Sequence, residues 1–199
     1  MNKVLLASAN RGKIKELRAL LEELPLTLLD LNQLGIAMPI EEQENGYAPN
    51  ARLKALTYAR RSGFWTLADD SGLEVEVLDG APGPRSARLA GPGRSDAERR
   101  EHLLEMLRAH PRPWRARFVC VLALASPIGE VELTQGICEG EVIPEELGTH
   151  GFGYDPIFRL WEIEKTMAQL TIKEKNRLSH RARAVKAILP ILMGKLDIA

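Results

Sequence analysis

The sequence predicts an α/β fold with a mixed β-sheet. Three observations predict it. Strand-like and helix-like segments alternate over the first third of the chain. A block of consecutive strand-like segments fills residues 117–143. The last part reads as helical from about Thr171. The 199 residues are 45% hydrophobic and 27% charged, too apolar and too balanced for a disordered chain. A chain of this length buries roughly 70% of its unfolded surface, enough for one full core or a core split between two lobes. We read residues 1–199 as a single domain whose middle strands form a second lobe. A cleft between two lobes is a usual place for a small ligand.

The elements follow in order. KVLLAS (3–8) is a short apolar run ending in a polar turn, a buried strand. Ile14, Leu17, Leu21 and Leu24 then recur at helical spacing, and Pro25 closes that helix. LTLLDL (26–31) is a second strand. Residues 50–62 read as a helix capped by Asn50 and ended by Gly63. WTLA (65–68) is a buried strand, and LEVEVL (73–78) alternates as a strand with one wet face does. A Gly/Pro-rich loop covers 79–93. Ser95 and Glu98 form a capping-box pattern ahead of Leu103, Leu104 and Leu107. RFVCVLALA, EVELTQ and ICEGEVI read as strands separated by Gly turns, and GTHGFGYDP as a loop before the C-terminal helix.

Composition excludes several function classes. The 27 basic and 27 acidic side chains cancel, whereas a nonspecific nucleic-acid binder carries a basic excess. The longest apolar run, residues 118–125, is far short of the ~20 residues a membrane span needs. The N-terminal MNKVLLASAN is too short for a signal h-region. A cytoplasmic protein with no membrane or nucleic-acid partner is expected. Cys120 and Cys138, both in apolar strand-like settings, read as reduced core thiols.

Four segments carry candidate chemistry, each beside a plainer reading. In SANRGK, Ser8, Asn10 and Lys13 sit where a strand gives way to a helix, and unpaired N–H groups there suit phosphate. The plainer reading is a capped helix start; a Walker A loop is excluded by Ala7 and Ile14. In LADDSGLEV, Asp69 and Asp70 follow an apolar strand. Neighbouring side chains on a strand point to opposite faces, so only a bend at Gly72 brings both to one site. Such carboxylates either hold Mg2+ and activate water or make an Asx turn. Glu41, Glu42 and Glu44 are a solvated acidic loop or the complement of that metal site. GFGYDP displays Phe152 and Tyr154 on Gly151 and Gly153, which suits stacking on a flat ring as well as an ordinary turn. Lys175, Arg177, His180, Arg181 and Arg183 place cations at a helix start, where the dipole disfavours them. They are an anion or carbonyl site, or a solvated basic face.

Taken in order, SANRGKIKEL, ADDSGLEVEVLDGAPGPRSARLAG, GFGYDPIF and SHRARA resemble the inosine/xanthosine triphosphate pyrophosphatases, from residue 2 to about 190. The resemblance implies a two-lobed, elongated α/β fold with a central mixed sheet flanked by helices and an active-site cleft between the lobes, a homodimer, and Mg2+-dependent hydrolysis of a nucleoside triphosphate to monophosphate and pyrophosphate. It implies that Ser8, Asn10 and Lys13 hold the triphosphate, and that Asp70 is the catalytic carboxylate and a metal ligand. Ser71 would touch substrate, and Glu42 would be the second metal-binding acid. Phe152, Gly153, Tyr154, Asp155, Lys175, His180 and Arg181 would contact the nucleoside. Ser8 stands where the family usually has Thr, Leu89 where it has Tyr, and Pro49 where it often has an acid.

The implied chemistry is attack at the α-phosphorus, with Asp70 positioning and deprotonating water and Lys13 offsetting phosphate charge. A donor from His180 or Arg181 to purine O6 would be left unpaired against adenine, a discrimination of up to about 10^4. Arg181, with its rigid fork, is the expected base reader. Two other readings stand beside this one: a pyrophosphatase for other modified nucleotides, and a non-catalytic nucleotide-binding module, against which Asp70 and Lys13 argue.

Overall fold

The computed structural model describes residues 2–36, 40 and 46–198. Six strands form one mixed sheet in the order β2-β1-β3-β4-β5-β6. They are β1 (Asn2–Leu6), β2 (Leu26–Asp30), β3 (Trp65–Val75), β4 (Trp114–Ala125), β5 (Val131–Val142) and β6 (Phe158–Leu160). β1 pairs in parallel with β2 and β3, and β5 pairs antiparallel with β6. The helices are α1 (Arg11–Leu20), α2 (Tyr47–Ser62), α3 (Asp96–Leu107), α4 (Ile172–Leu178) and α5 (His180–Lys195). The expected α/β class is the observed one.

The chain divides into two compact units. The first comprises Met1–Asp70, Cys120–Gly136 and His180–Ala199; the second comprises Ser71–Val119 and Ile137–Ser179. The first unit has two apolar layers. Val4, Leu6, Leu67, Cys120, Leu122 and Leu124 pack with Leu17 of α1 and with Val185, Ile188 and Leu192 of α5. Leu5, Ala68, Val121 and Ala123 pack with Ala51, Ala55 and Ala59 of α2. Successive strand residues thus alternate between layers, as period 2 requires. The second unit buries Leu73, Leu103, Leu107, Trp114, Phe118, Phe158 and Met167 together.

Four expectations are corrected. β3 runs through Asp69, Asp70, Ser71 and Gly72 as one strand where two were expected, and Glu76–Leu78 forms a 3-10 turn in place of more strand. β5 absorbs the two strands expected on either side of Gly136. A Cβ at Gly136 would lie 2.0 Å from the carbonyl oxygen of His180, so this glycine serves the close approach of α5 to the strand. α2 begins at Tyr47, capped by Gly46, which puts Asn50 inside the helix. The C-terminal helix is two helices, broken at Ser179. The capping box of Ser95 and Glu98 is present as expected, and Thr171 and Glu174 make another ahead of α4. No helix among the described residues is long and apolar enough to cross a membrane.

Candidate active site

The first unit gathers one group of candidate residues around the end of β1 and the middle of β3. Asn10 is the N-cap of α1: its Oδ1 accepts from the Lys13 N–H at 3.1 Å, and the Asn10 N–H donates to Ser8 Oγ at 3.2 Å. The plainer reading of a capped helix start is therefore correct, and it is compatible with phosphate binding. The Ser8 hydroxyl and the Asn10 amide keep donors of their own, and the first N–H groups of α1 remain at its positive end.

Asp69 and Asp70, adjacent on β3, meet different partners, as neighbours on a strand do. Asp69 Oδ2 lies 3.1 Å from Lys13 Nζ and 3.1 Å from an Arg181 guanidinium nitrogen, and Arg181 pairs at its other end with Glu16. Lys13, Asp69, Arg181 and Glu16 thus alternate in sign along one chain, buried but for the half-buried Lys13. Burial by itself would raise the Asp69 carboxyl, but Lys13, Arg181 and Lys54 together hold it well below the ordinary carboxylate range. Arg181 is 1% exposed. The fork expected to face a base faces two carboxylates.

Asp70 turns to α2. Its Oδ2 accepts from Asn50 Nδ2 at 3.1 Å, and its Oδ1 lies 3.3 Å from Lys54 Nζ. Sequence reasoning missed Asn50 as a side-chain partner and missed Lys54 altogether. The available signal was their spacing: residues four apart on a helix share a face. Among the described residues the Oδ1 of Asn50 is buried with no hydrogen-bond partner. An orphaned hard oxygen acceptor beside a carboxylate fits a divalent cation of the Mg2+ type. Among the described residues no three His, Cys, Asp or Glu side chains gather as a metal cage; Glu42, the other expected ligand, lies outside the described residues.

The second unit gathers the other group. Residues 151–155 form a tight loop leading into a 3-10 turn, Asp155–Ile157. Asp155 Oδ2 accepts from the Phe152 N–H at 2.8 Å and pairs with Lys175 Nζ, both side chains being buried. Lys175 Nζ also stands 5.1 Å from the centroid of the Phe152 ring. The two aromatics separate in role. Phe152 is partly exposed, whereas Tyr154 is buried in the core and donates its hydroxyl to the Ser86 carbonyl at 2.8 Å. Burial pushes the Tyr154 hydroxyl well above its ordinary pKa. Ser71 is the first residue of this unit and is half-buried. His180, the first residue of α5, is buried in the first unit.

Residues 4–191 match the model of the Ham1 family. The chain is 43% identical over 191 residues to a dITP/XTP pyrophosphatase of Desulforamulus reducens, covering 96% of this chain and 95% of that one. It is 44% identical over 187 residues to a dITP/XTP pyrophosphatase of Exiguobacterium sibiricum, covering 94% of each. A Ham1 protein from Coxiella burnetii superposes with a TM-score of 0.87 at 37% identity, over 98% of this chain and all of that one. The Ham1 protein of Staphylococcus aureus superposes with a TM-score of 0.85 at 36% identity, over the same shares. With the fold, the length and the motif segments all in agreement, the chain belongs to the Ham1 family.

Proposed function

We propose that the protein hydrolyses deaminated purine nucleoside triphosphates, ITP, dITP and XTP, to the monophosphate and pyrophosphate, and so clears them from the nucleotide pool. The relatives' names point to this substrate class. The observation that carries the chemistry is Asp70, a buried carboxylate gripped by Lys54 and Asn50 next to an unsatisfied amide oxygen.

Lys13, Lys54 and the first N–H groups of α1 hold and neutralise the phosphates, aided by Ser8 and Asn10. Asp70 orients the attacking water and takes its proton as the bond to the α-phosphorus forms. The α,β-bridging oxygen leaves with pyrophosphate, so the reaction yields two products in one step. Mg2+, held by Asp70 and Asn50 with Glu42, would supply Lewis-acid stabilisation of the charge on the phosphate oxygens. Phe152 stacks on the purine, while Asp155 and Lys175 hold its loop, and Ser71 touches the substrate. His180 inherits the donor to O6 that Arg181, turned towards Asp69 and Glu16, does not supply. A homodimer working in the cytoplasm, with no nucleic-acid or membrane partner, completes the reading.

The test is to incubate the protein with ITP, XTP, ATP, GTP and dTTP in Mg2+ and assay pyrophosphate separately from orthophosphate. The expected result is IMP and pyrophosphate from ITP, with ATP and dTTP slow. IDP and orthophosphate as primary products would refute it.

A further inference from the structure

Gly153 lies at the centre of the loop that carries Phe152, and it adopts φ +62°, a left-handed conformation with open space around it. A glycine in such a place can leave that conformation at little steric cost. Two side chains of α3 prevent it. Asp96 Oδ2 accepts from the Gly153 N–H at 2.7 Å, and Arg100 donates to the Gly153 carbonyl at 2.9 Å. The N–H belongs to the peptide before Gly153 and the carbonyl to the peptide after it. Holding both therefore fixes both dihedral angles of the glycine.

The clamp is itself anchored. Asp96 and Arg100 are four apart, on one face of the first turns of α3. The second oxygen of Asp96 pairs with Arg99 at 2.6 Å. Arg100 also makes a bidentate pair with Glu146, 2.8 Å at each contact, and Glu146 precedes the loop by only a few residues. α3 in turn is fixed by its capping box and by Leu103 and Leu107 in the core of the second unit. None of this network is used by the phosphate chemistry.

We propose that Asp96 and Arg100 are positioning residues for nucleoside recognition. They lock Gly153 so that the Phe152 ring is presented to the base before substrate arrives, which removes an ordering cost from binding. The proposal rests on the reading above that the 152–155 loop contacts the nucleoside. Neither side chain touches substrate, and neither bears on the phosphate-transfer step.

The experiment measures ITP kinetics, IMP affinity, pyrophosphate affinity and Tm for Asp96→Ala, Asp96→Asn, Arg100→Ala and Phe152→Ala. The two clamp alanines should raise KM for ITP and Kd for IMP by about tenfold while kcat and pyrophosphate affinity stay within about twofold. Asp96→Asn, whose amide oxygen can still accept from the Gly153 N–H, should recover most of the loss. Unchanged KM in the clamp variants, with KM raised in Phe152→Ala, overturns the clamp and leaves the loop's role standing. A parallel loss of Tm, kcat and pyrophosphate affinity, without rescue by Asp96→Asn, reduces both residues to structural ones and also overturns it. Unchanged KM and IMP affinity in Phe152→Ala overturns the reading of the loop, and the clamp with it.

Discussion

The two units solve the problem of holding functional side chains in opposite ways. In the first, charges hold charges: the half-buried Lys13 and the buried Asp69, Arg181 and Glu16 alternate in a row, and Asp70 is gripped by Lys54 and Asn50. In the second, side chains hold backbone: Asp155, Asp96 and Arg100 grasp the peptide groups of a glycine loop that presents one aromatic ring. The difference suits the task of each. A polyanion asks for fixed charge in a dry setting, where electrostatic interactions are strong. A planar, neutral base asks for shape and a stacking surface, which a locked loop provides.

The comparison breaks most severely if the charged group can be altered without loss. Asp70→Asn keeps volume and removes charge, and turnover should fall by roughly 10^2- to 10^4-fold, the range for a lost general base. Asp69→Asn should instead act through Lys13 and Arg181, with a fall in Tm accompanying its loss of activity. Equal kinetic effects at constant Tm would show that the wrong aspartate has been chosen. Next in size is Arg181→Ala, which strands Asp69 and Glu16 without their shared cation. Breaking a buried pair in this manner costs about 3–5 kcal/mol, visible in denaturant unfolding. ITP and ATP activities should decline together, because the guanidinium serves the carboxylates. A narrowed ITP/ATP ratio at unchanged stability would return Arg181 to the base. In the second unit Phe152→Ala should raise KM for ITP by about tenfold with little change in kcat, the mark of lost stacking and not of lost chemistry.

Much of this was legible in the sequence. Short continuous apolar runs located β1, β2, the start of β3 and most of β4, the alternation of LEVEVL located the end of β3, and the Ser95–Glu98 box located α3. Two glycines misled, because a glycine signals a turn and a close approach alike. Gly136 and Gly72 lie within strands, and a Cβ on Gly72 would come within 2.1 Å of the Gly83 carbonyl oxygen. In the candidate site, Asp70 and Lys13 were singled out through the family resemblance, because their segments alone read equally as an Asx turn and a capped helix start. The direction of Arg181 was not legible, since its partners Glu16 and Asp69 stand 165 and 112 residues away along the chain. Nor was the role of Tyr154, whose hydroxyl donates to the Ser86 carbonyl, 68 residues away along the chain. Local pattern announces which residues are chemical; only tertiary pairing says which way they face.

The buried charges of the first unit also leave a mark on its cysteine. Cys120 lies in β4 among Leu122, Leu67 and Val185, within the field of Arg181 and Asp69. Burial pushes its thiol up to about 12, more than the nearby cations pull it down. An unfolded thiol ionises at about 8.5. The folded state therefore holds the proton more tightly than the unfolded one. Its contribution to stability is complete below about pH 8.5 and declines as pH rises towards the folded value, by up to about 1.4 kcal/mol per pH unit. Chemical unfolding at pH 8 and pH 10 should show the decline, and Cys120→Ala, at some cost in packing, should show less of it. The same burial predicts that thiol reagents modify Cys120 in the Cys138→Ala protein only as fast as the first unit opens. Rapid labelling of Cys120 at pH 8 in native buffer, or an identical pH slope in Cys120→Ala, would mean that the charged layer is open to water and that charges there are held no more firmly than the loop of the second unit.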